Sequence, residues 1–364
     1  MRKQHWLAIT LIVAALAACA SAYWWTGARQ QNSSVLSFLP RDPAAVICID
    51  VAALRKSPFL AQLAAWAPQP QKDPDYAQFV ADTGFNFERD LDHLAIAYVK
   101  FWDTPQSDHW PDGAVFIGEG KFDRQKITAY ALRKGTRFIV SGHEVISRPG
   151  GIDVAGTQIA FLSDRLVAMN PGATPIPTDV LAAAPKRSIG DDWRERFVRL
   201  AGSPVFAVIR HDTAAALADR APGGFRSPQL STLLNQLQWI TVAAKPDGDQ
   251  LRIIAEGESA SDATTRQLAD LLNGVVILAQ AGLNDPKVRQ QLDPAVREAY
   301  LELLKGADIS KLDRGDTKAV RLVVSVTPKF LQAARTYAPL APPPPPAQPD
   351  TRKAPAAAPR KSGT

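Results

Sequence analysis

The chain has 364 residues, 46% of them apolar and 21% charged, which is the composition of a globular protein long enough for about two domains. That balance excludes wholesale disorder, a collagen and a polytopic membrane protein, and two cysteines exclude a disulfide scaffold. The formal charge of +6 resides at the ends: +3 in the first thirty residues (Arg2, Lys3, Arg29) and +3 in the tail from Ala338, where Arg352, Lys353, Arg360 and Lys361 outnumber Asp350. The body between them is neutral, so net charge gives no support to nucleic-acid binding.

Residues 1–5 form a short positive stub, and Trp6–Trp25 follows without a charge. Arg2 and Lys3 ahead of the apolar run place that end in the cytoplasm. Three outcomes compete for residues 6–25. The length suits an uncleaved transmembrane anchor, with Tyr23-Trp24-Trp25 as an aromatic belt at the outer interface. Leu16-Ala17-Ala18-Cys19 resembles the lipobox of bacterial lipoproteins, which makes Cys19 a lipidation candidate. Ala20-Ser21-Ala22 fits simple signal cleavage. A buried helix is the plainer alternative. An anchor and an acylated Cys19 both tether an exported body to the bacterial cell membrane, with that body in the periplasm. Residues 26–35 read as a linker.

An internal repeat divides the rest. Leu91–Val99 lines up with Leu234–Val242, and Phe116-Ile117-Gly118-Glu119-Gly120 with Ile253-Ile254-Ala255-Glu256-Gly257. Upstream, a strand ending in Asp50 matches Val205–Arg210 followed by Asp212. Residues 36–200 are thus expected as a first α+β repeat with an extension, and 201–337 as a second.

In chain order, Ala44–Ile49 reads as a strand and Asp50 as the N-cap of a helix running to about Trp66. His93–Lys100 and Ala114–Gly120 read as a hairpin, Asp123 opens a helix, and Arg137–Val145 is a strand. Strands near Gln158–Leu162 and Leu166–Met169 and helices from Thr178 and Asp191 extend the first repeat. In the second repeat, Pro246-Asp247-Gly248-Asp249 closes a hairpin of Gln238–Ala244 with Leu251–Glu256. Ser261 caps a long helix whose Leu268, Leu271, Leu272, Val275, Val276 and Ala279 form an apolar stripe. Asp285-Pro286 and Asp293-Pro294 each start a helix with proline at its first position. The last strand is Ala319–Val326, and Thr327-Pro328 opens a final helix to Tyr337. The expected fold class is α+β, two tandem β-α-β-β-α-β (ferredoxin-like) repeats after an N-terminal membrane anchor. The tail 338–364, with five consecutive prolines, reads as disordered.

No reaction motif emerges. A phosphate-binding glycine loop and a Gly-x-Ser-x-Gly elbow are both missing. His143-Glu144 begins like a zinc-protease helix, but Ser147 stands where the second histidine belongs. His5, His93, His109, His143 and His211 show no ligand spacing, and Asp212 beside His211 reads as a helix cap. Cys48, inside an apolar strand, reads as a buried structural thiol. Glu119 and Glu256 are a repeat-related acidic pair; acid–base work is the sharp reading and surface strand ends the plain one. No cofactor or metal site is expected.

The first hairpin differs from the second in its loop, Phe101–Asp112, which carries Phe101, Trp102, His109 and Trp110. Exposed aromatics supply large rigid contact area, so these four are the candidate partner-binding residues; folding back over the sheet is the alternative.

The stretch Phe38-Leu39-Pro40-Arg41-Asp42-Pro43-Ala44-Ala45-Val46-Ile47-Cys48-Ile49-Asp50, with Leu54 and Ser57-Pro58, resembles the start of uncharacterised bacterial membrane-anchored exported proteins with a duplicated α+β ectodomain. The resemblance implies a tethered ectodomain and carries over no catalytic residue. The function expected is a non-enzymatic envelope interaction or scaffold module with a protein partner. The alternative is an ectodomain binding a lipid or apolar small molecule in a groove between the repeats. A hydrolytic enzyme, with Glu119, Glu256, His143 or His211 gathered in one cleft, comes third.

Overall fold

The computed structural model describes residues 34–59, 74–99, 113–148, 156–171, 175–182, 189–210 and 232–337. A single antiparallel sheet organises them. Its strands are β1 (Ala45–Asp50), β2 (Leu91–Tyr98), β3 (Ala114–Gly120), β4 (Thr136–Val140), β5 (His143–Arg148) and β6 (Thr157–Ser163). They continue as β7 (Leu166–Asn170), β8 (Val205–Arg210), β9 (Trp239–Asp247), β10 (Gln250–Ser259), β11 (Asp308–Arg314) and β12 (Thr317–Val326). The order across the sheet is β11-β12-β10-β9-β8-β1-β2-β3-β7-β6-β5-β4.

This order corrects the ferredoxin-like expectation. That fold sets its first and third strands side by side and parallel. Here β1 pairs antiparallel with β2 on one side and with β8 on the other. The halves nevertheless share a plan: β1-β2-β3-β7-β6 runs outward from the centre as β8-β9-β10-β12-β11 does. They meet strand to strand, with Ile47 opposite Ala207 and the flanking pairs arranged evenly about that point. The sheet therefore passes straight through the expected boundary between the repeats.

Helices cover both faces. On the first lies the largest apolar cluster, in which Val46, Cys48, Ala95, Val115, Ile117 and Val208 of the sheet are buried. A 3-10 turn (Ser34–Phe38) packs Val35 there. So do Val180 of α5 (Thr178–Leu181) and Trp193 and Phe197 of α6 (Asp191–Leu200). The opposite face carries α1 (Val51–Arg55), α2 (Pro74–Thr83), α3 (Phe87–Asp90) and α4 (Arg124–Leu132) over the first half. Over the second half lie α7 (Asp262–Asn284), α8 (Pro286–Gln291), α9 (Pro294–Lys305) and α10 (Pro328–Tyr337).

Most starts follow local chemistry. Asp50, Asp123 and Ser261 accept hydrogen bonds from Ala53, Lys126 and Thr264 amides as N-caps, each stabilising by about 1 kcal/mol. Asp285 and Asp293 cap helices that carry proline in the first turn. Three expectations change. The helix after Asp50 is interrupted after Arg55, because Pro58 disfavours helical backbone at Ser57; Pro58 and Phe59 are helical again, and residues 60–66 of the expected span lie outside the described residues. The strand expected over Arg137–Val145 is the hairpin β4–β5, turned by Ser141 (φ 51°) and Gly142 (φ 80°). The stripe on α7 is buried only at its start, at Leu268; Val275 is 47% exposed.

Candidate functional site

Cross-strand register redraws the acidic pair. Counting outward from Ile47 and Ala207, Tyr98 corresponds to Ala244 and Ala114 to Ile253. Carried along β3 and β10, the correspondence matches Gly118-Glu119 with Gly257-Glu258, not with Glu256. The glycines explain why. A methyl group at Gly257 would lie 2.8 Å from Leu237 Cδ1, and one at Gly118 would lie 3.2 Å from Leu91 Cδ1. In each half a leucine at the start of the adjoining strand (Leu91, the first residue of β2) or just before it (Leu237, ahead of β9) lies on the space a side chain would fill, and the glutamate that follows points to the other face.

Around Glu119 the environment is half-wet. His93 Nδ1 lies 3.2 Å from Glu119 Oε2, and His93 Nε2 lies 3.7 Å from Asp50 Oδ1. The three side chains stand on adjacent strands in register, Asp50 opposite His93 and His93 opposite Glu119. Asp50 is already engaged as the cap of α1. Arg55 donates to the Arg89 and Leu91 carbonyls at 2.6 and 2.5 Å, and Asp92 ties Arg55 to Arg165. Sequence reading gave His93 no role. Alternation puts it on a face, but only the register shows it between two carboxylates.

Around Glu258 the environment is sealed. Its carboxylate is 1% exposed and accepts from both Arg196 and Arg199 of α6. Arg196 also donates to the Asp192 carbonyl at 2.8 Å and stacks on Trp239, 4.1 Å from the ring centroid. Trp239 occupies the register position of His93. Glu256, two residues back on the same face, accepts from Arg314 at 2.7 Å and Arg321 at 2.8 Å. Burial pushes the Glu256 carboxyl up, but the two guanidinium bonds outweigh it and hold it below the usual range. Lys245, farther along the same face, is lowered by burial and then by the charges of Arg321 and Arg252.

Of the residues considered for hydrolysis, the described ones, Glu119, Glu256 and His143, do not converge. Glu119 on β3 and Glu256 on β10 are five strand steps apart, about 24 Å at ordinary spacing. His143 starts β5, with Nδ1 3.4 Å from the Phe161 carbonyl oxygen. Cys48 is buried, and burial pushes its thiol up. Among the described residues, no three His, Cys, Asp or Glu side chains gather as metal ligands. No described helix is long and apolar enough to cross a membrane. Residues 6–25 with Cys19, the loop carrying Phe101, Trp102, His109 and Trp110, His211 and the tail lie outside the described residues.

One surface remains unexplained by the sheet. From Leu271 to Leu283, α7 carries no charged residue. Within that run Val275 is 47%, Ile277 64% and Leu278 72% exposed. The first turns of α7 pack Leu268 and Ala269 onto Leu237 and Val320. Beyond them, Gln280 Nε2 donates to the Leu304 carbonyl of α9 at 3.1 Å, which fixes the helix's far half while its outer side stays open. Around the helix Leu278 lies between Val275 and Ile277, about 60° from one and about 100° from the other, so the three make a broad apolar ridge on a surface otherwise rich in ion pairs.

Scans against protein-family models and against curated proteins return no match. Among solved structures, crystal form IV of TP0453 is similar at a TM-score of 0.45 and 11% identity, over 85% of this chain and 98% of that one. Crystal form I of TP0453 gives a TM-score of 0.41 at 9% identity, over 83% and 96%.

Proposed function

We propose that this chain is a membrane-tethered periplasmic envelope protein that acts as a non-enzymatic interaction module, with the ridge on α7 as a contact surface for a protein partner. The observation that carries the reading is the exposure of Val275, Ile277 and Leu278 along a helix stretch free of charge. Burying such side chains on a partner removes apolar area from water, at about 25 cal/mol per Å². A protein partner is favoured over the tethering bilayer by position. The chain reaches β1 through the 3-10 turn on one face of the sheet, and α7 lies on the other. The tether itself rests on Trp6–Trp25 following Arg2 and Lys3.

Two experiments test this. A photo-crosslinking residue placed at Ile277 in the full chain, in its bacterial host, is expected to yield a discrete protein adduct. The same residue at the exposed Arg266, on the charged first turns of α7, is expected to yield none. Equal labelling at both positions, or adducts only with lipid, would remove the protein-contact reading. Separately, intact mass and membrane partitioning of wild type beside Cys19→Ser decide the tether. Release of the unprocessed wild-type chain into the soluble fraction would refute it.

A further inference from the structure

We propose that β4 is a strand-addition edge and that its occupant is β4 of a second copy of this chain. The sheet ends in two unlike edges. β11 carries Asp308, Lys311, Asp313 and Arg314, and its Ile309 is packed under α7. Charges along an edge and a covering helix both discourage further pairing. β4 reads Thr-Arg-Phe-Ile-Val, and its one charge, on Arg137, is paired with Glu144 of β5 at 2.8 Å. Phe138 is 37% and Ile139 68% exposed. Neither proline nor glycine interrupts the strand, and its register with β5 runs unbroken from Thr136 to Val140.

The hairpin fixes which groups point outward. Ser141 and Gly142 form a two-residue turn, so Val140 and His143 are its closing pair. A closing pair exchanges hydrogen bonds, and bonded residues alternate along the strand. Thr136, Phe138 and Val140 therefore turn their N–H and C=O groups toward β5, while Arg137 and Ile139 turn theirs away from it.

An antiparallel second β4 centred on Phe138 uses both outward residues. Arg137 then stands opposite Ile139 of the second copy, and Ile139 opposite its Arg137, each exchanging hydrogen bonds with its opposite. Phe138 meets Phe138 of the second copy at a non-bonded position, where side chains approach closest. A shift in one direction sets Arg137 against Arg137. A shift in the other runs the ladder into the turn at Ser141. The favoured register is self-complementary, as a twofold contact requires. A join of the same kind already exists inside the chain, where β1 and β8 pair antiparallel about Ile47 and Ala207. A five-residue strand makes a contact smaller than a standard interface, so the dimer forms with rising concentration rather than permanently.

The test uses the full chain in detergent micelles. Sedimentation across a concentration series is expected to show dimer growth for wild type and an association constant roughly tenfold lower for Ile139→Lys, with unchanged circular dichroism. Under mild oxidation Phe138→Cys is expected to form a disulfide-linked dimer above the wild-type background of Cys19 and Cys48. Ile139→Cys is expected to form none, since its opposite is Arg137. A wild type that stays monomeric, association unmoved by Ile139→Lys (as pairing through the N-terminal apolar run would give), or cross-linking at 139 instead of 138 overturns the proposal.

Discussion

Glu119 and Glu258 occupy matching places in the two halves of the sheet, yet they live in different chemistry. Each follows a glycine that makes room for a leucine, Leu91 in one half and Leu237 in the other. Glu119 faces an imidazole and remains part-exposed, its side chain 20% accessible. Glu258 is enclosed by two guanidinium groups from α6. The backbone requirement is the same in both halves, whereas the charge takes whatever the covering layer offers. Over the first half that layer is apolar; over the second, α6 brings arginines.

The comparison can be broken most sharply at the glutamates. Glu258→Gln strips the counter-charge from Arg196 and is expected to destabilise by about 3–5 kcal/mol in denaturant titration of the full chain. Glu119→Gln, at a part-exposed pair, is expected to cost about 1 kcal/mol or less. Equal losses would mean that the two environments are energetically alike. Next come the glycines. Gly257→Ala forces a methyl group against Leu237 and is expected to cost about 1–3 kcal/mol, with Gly118→Ala costing less because its contact is looser. The opposite ranking would show that Leu237 yields more easily than Leu91. Smaller still, Ser261→Ala removes the cap of α7 and is expected to cost about 1 kcal/mol by the same assay. Acid titration sharpens the charged half. The Glu256 carboxyl is lowered in the folded state, so its contribution is full above its unfolded pKa of roughly 4.3 and is lost as pH falls further. Glu256→Gln should flatten that part of the stability profile, and an unchanged slope would show that Arg314 and Arg321 give it no net hold.

Much of the fold was legible because it is local. Asp50, Asp123, Ser261, Asp285 and Asp293 announce helix starts through cap chemistry, and all five cap helices. The hairpin closed at Gly248 (φ 64°) is legible for the same reason. Pairing across the sheet was not. A strand repeats its faces every two residues, so sliding Glu119 from Glu258 to Glu256 preserves the apolar pattern and misplaces the partner. β11 escaped notice because Asp308-Ile309-Ser310-Lys311-Leu312-Asp313-Arg314 carries the charges of a guarded edge rather than a buried strand. The α7 stripe is legible as a pattern, but a pattern does not say where the supporting sheet ends. Of the contact features, the aromatic loop was visible in sequence, whereas the ridge at Ile277 and the bare edge at Ile139 depend on what neighbouring elements leave uncovered.

The place of β1 has a mechanical consequence. It is the first strand of the sheet in sequence, yet it lies in the middle, laddered to β2 on one side and β8 on the other. A pull arriving from the N-terminal end loads both ladders at once, in shear along the strand, instead of peeling an outer strand away pair by pair. Whatever force reaches the body by that route is spread into both halves before any strand can come free.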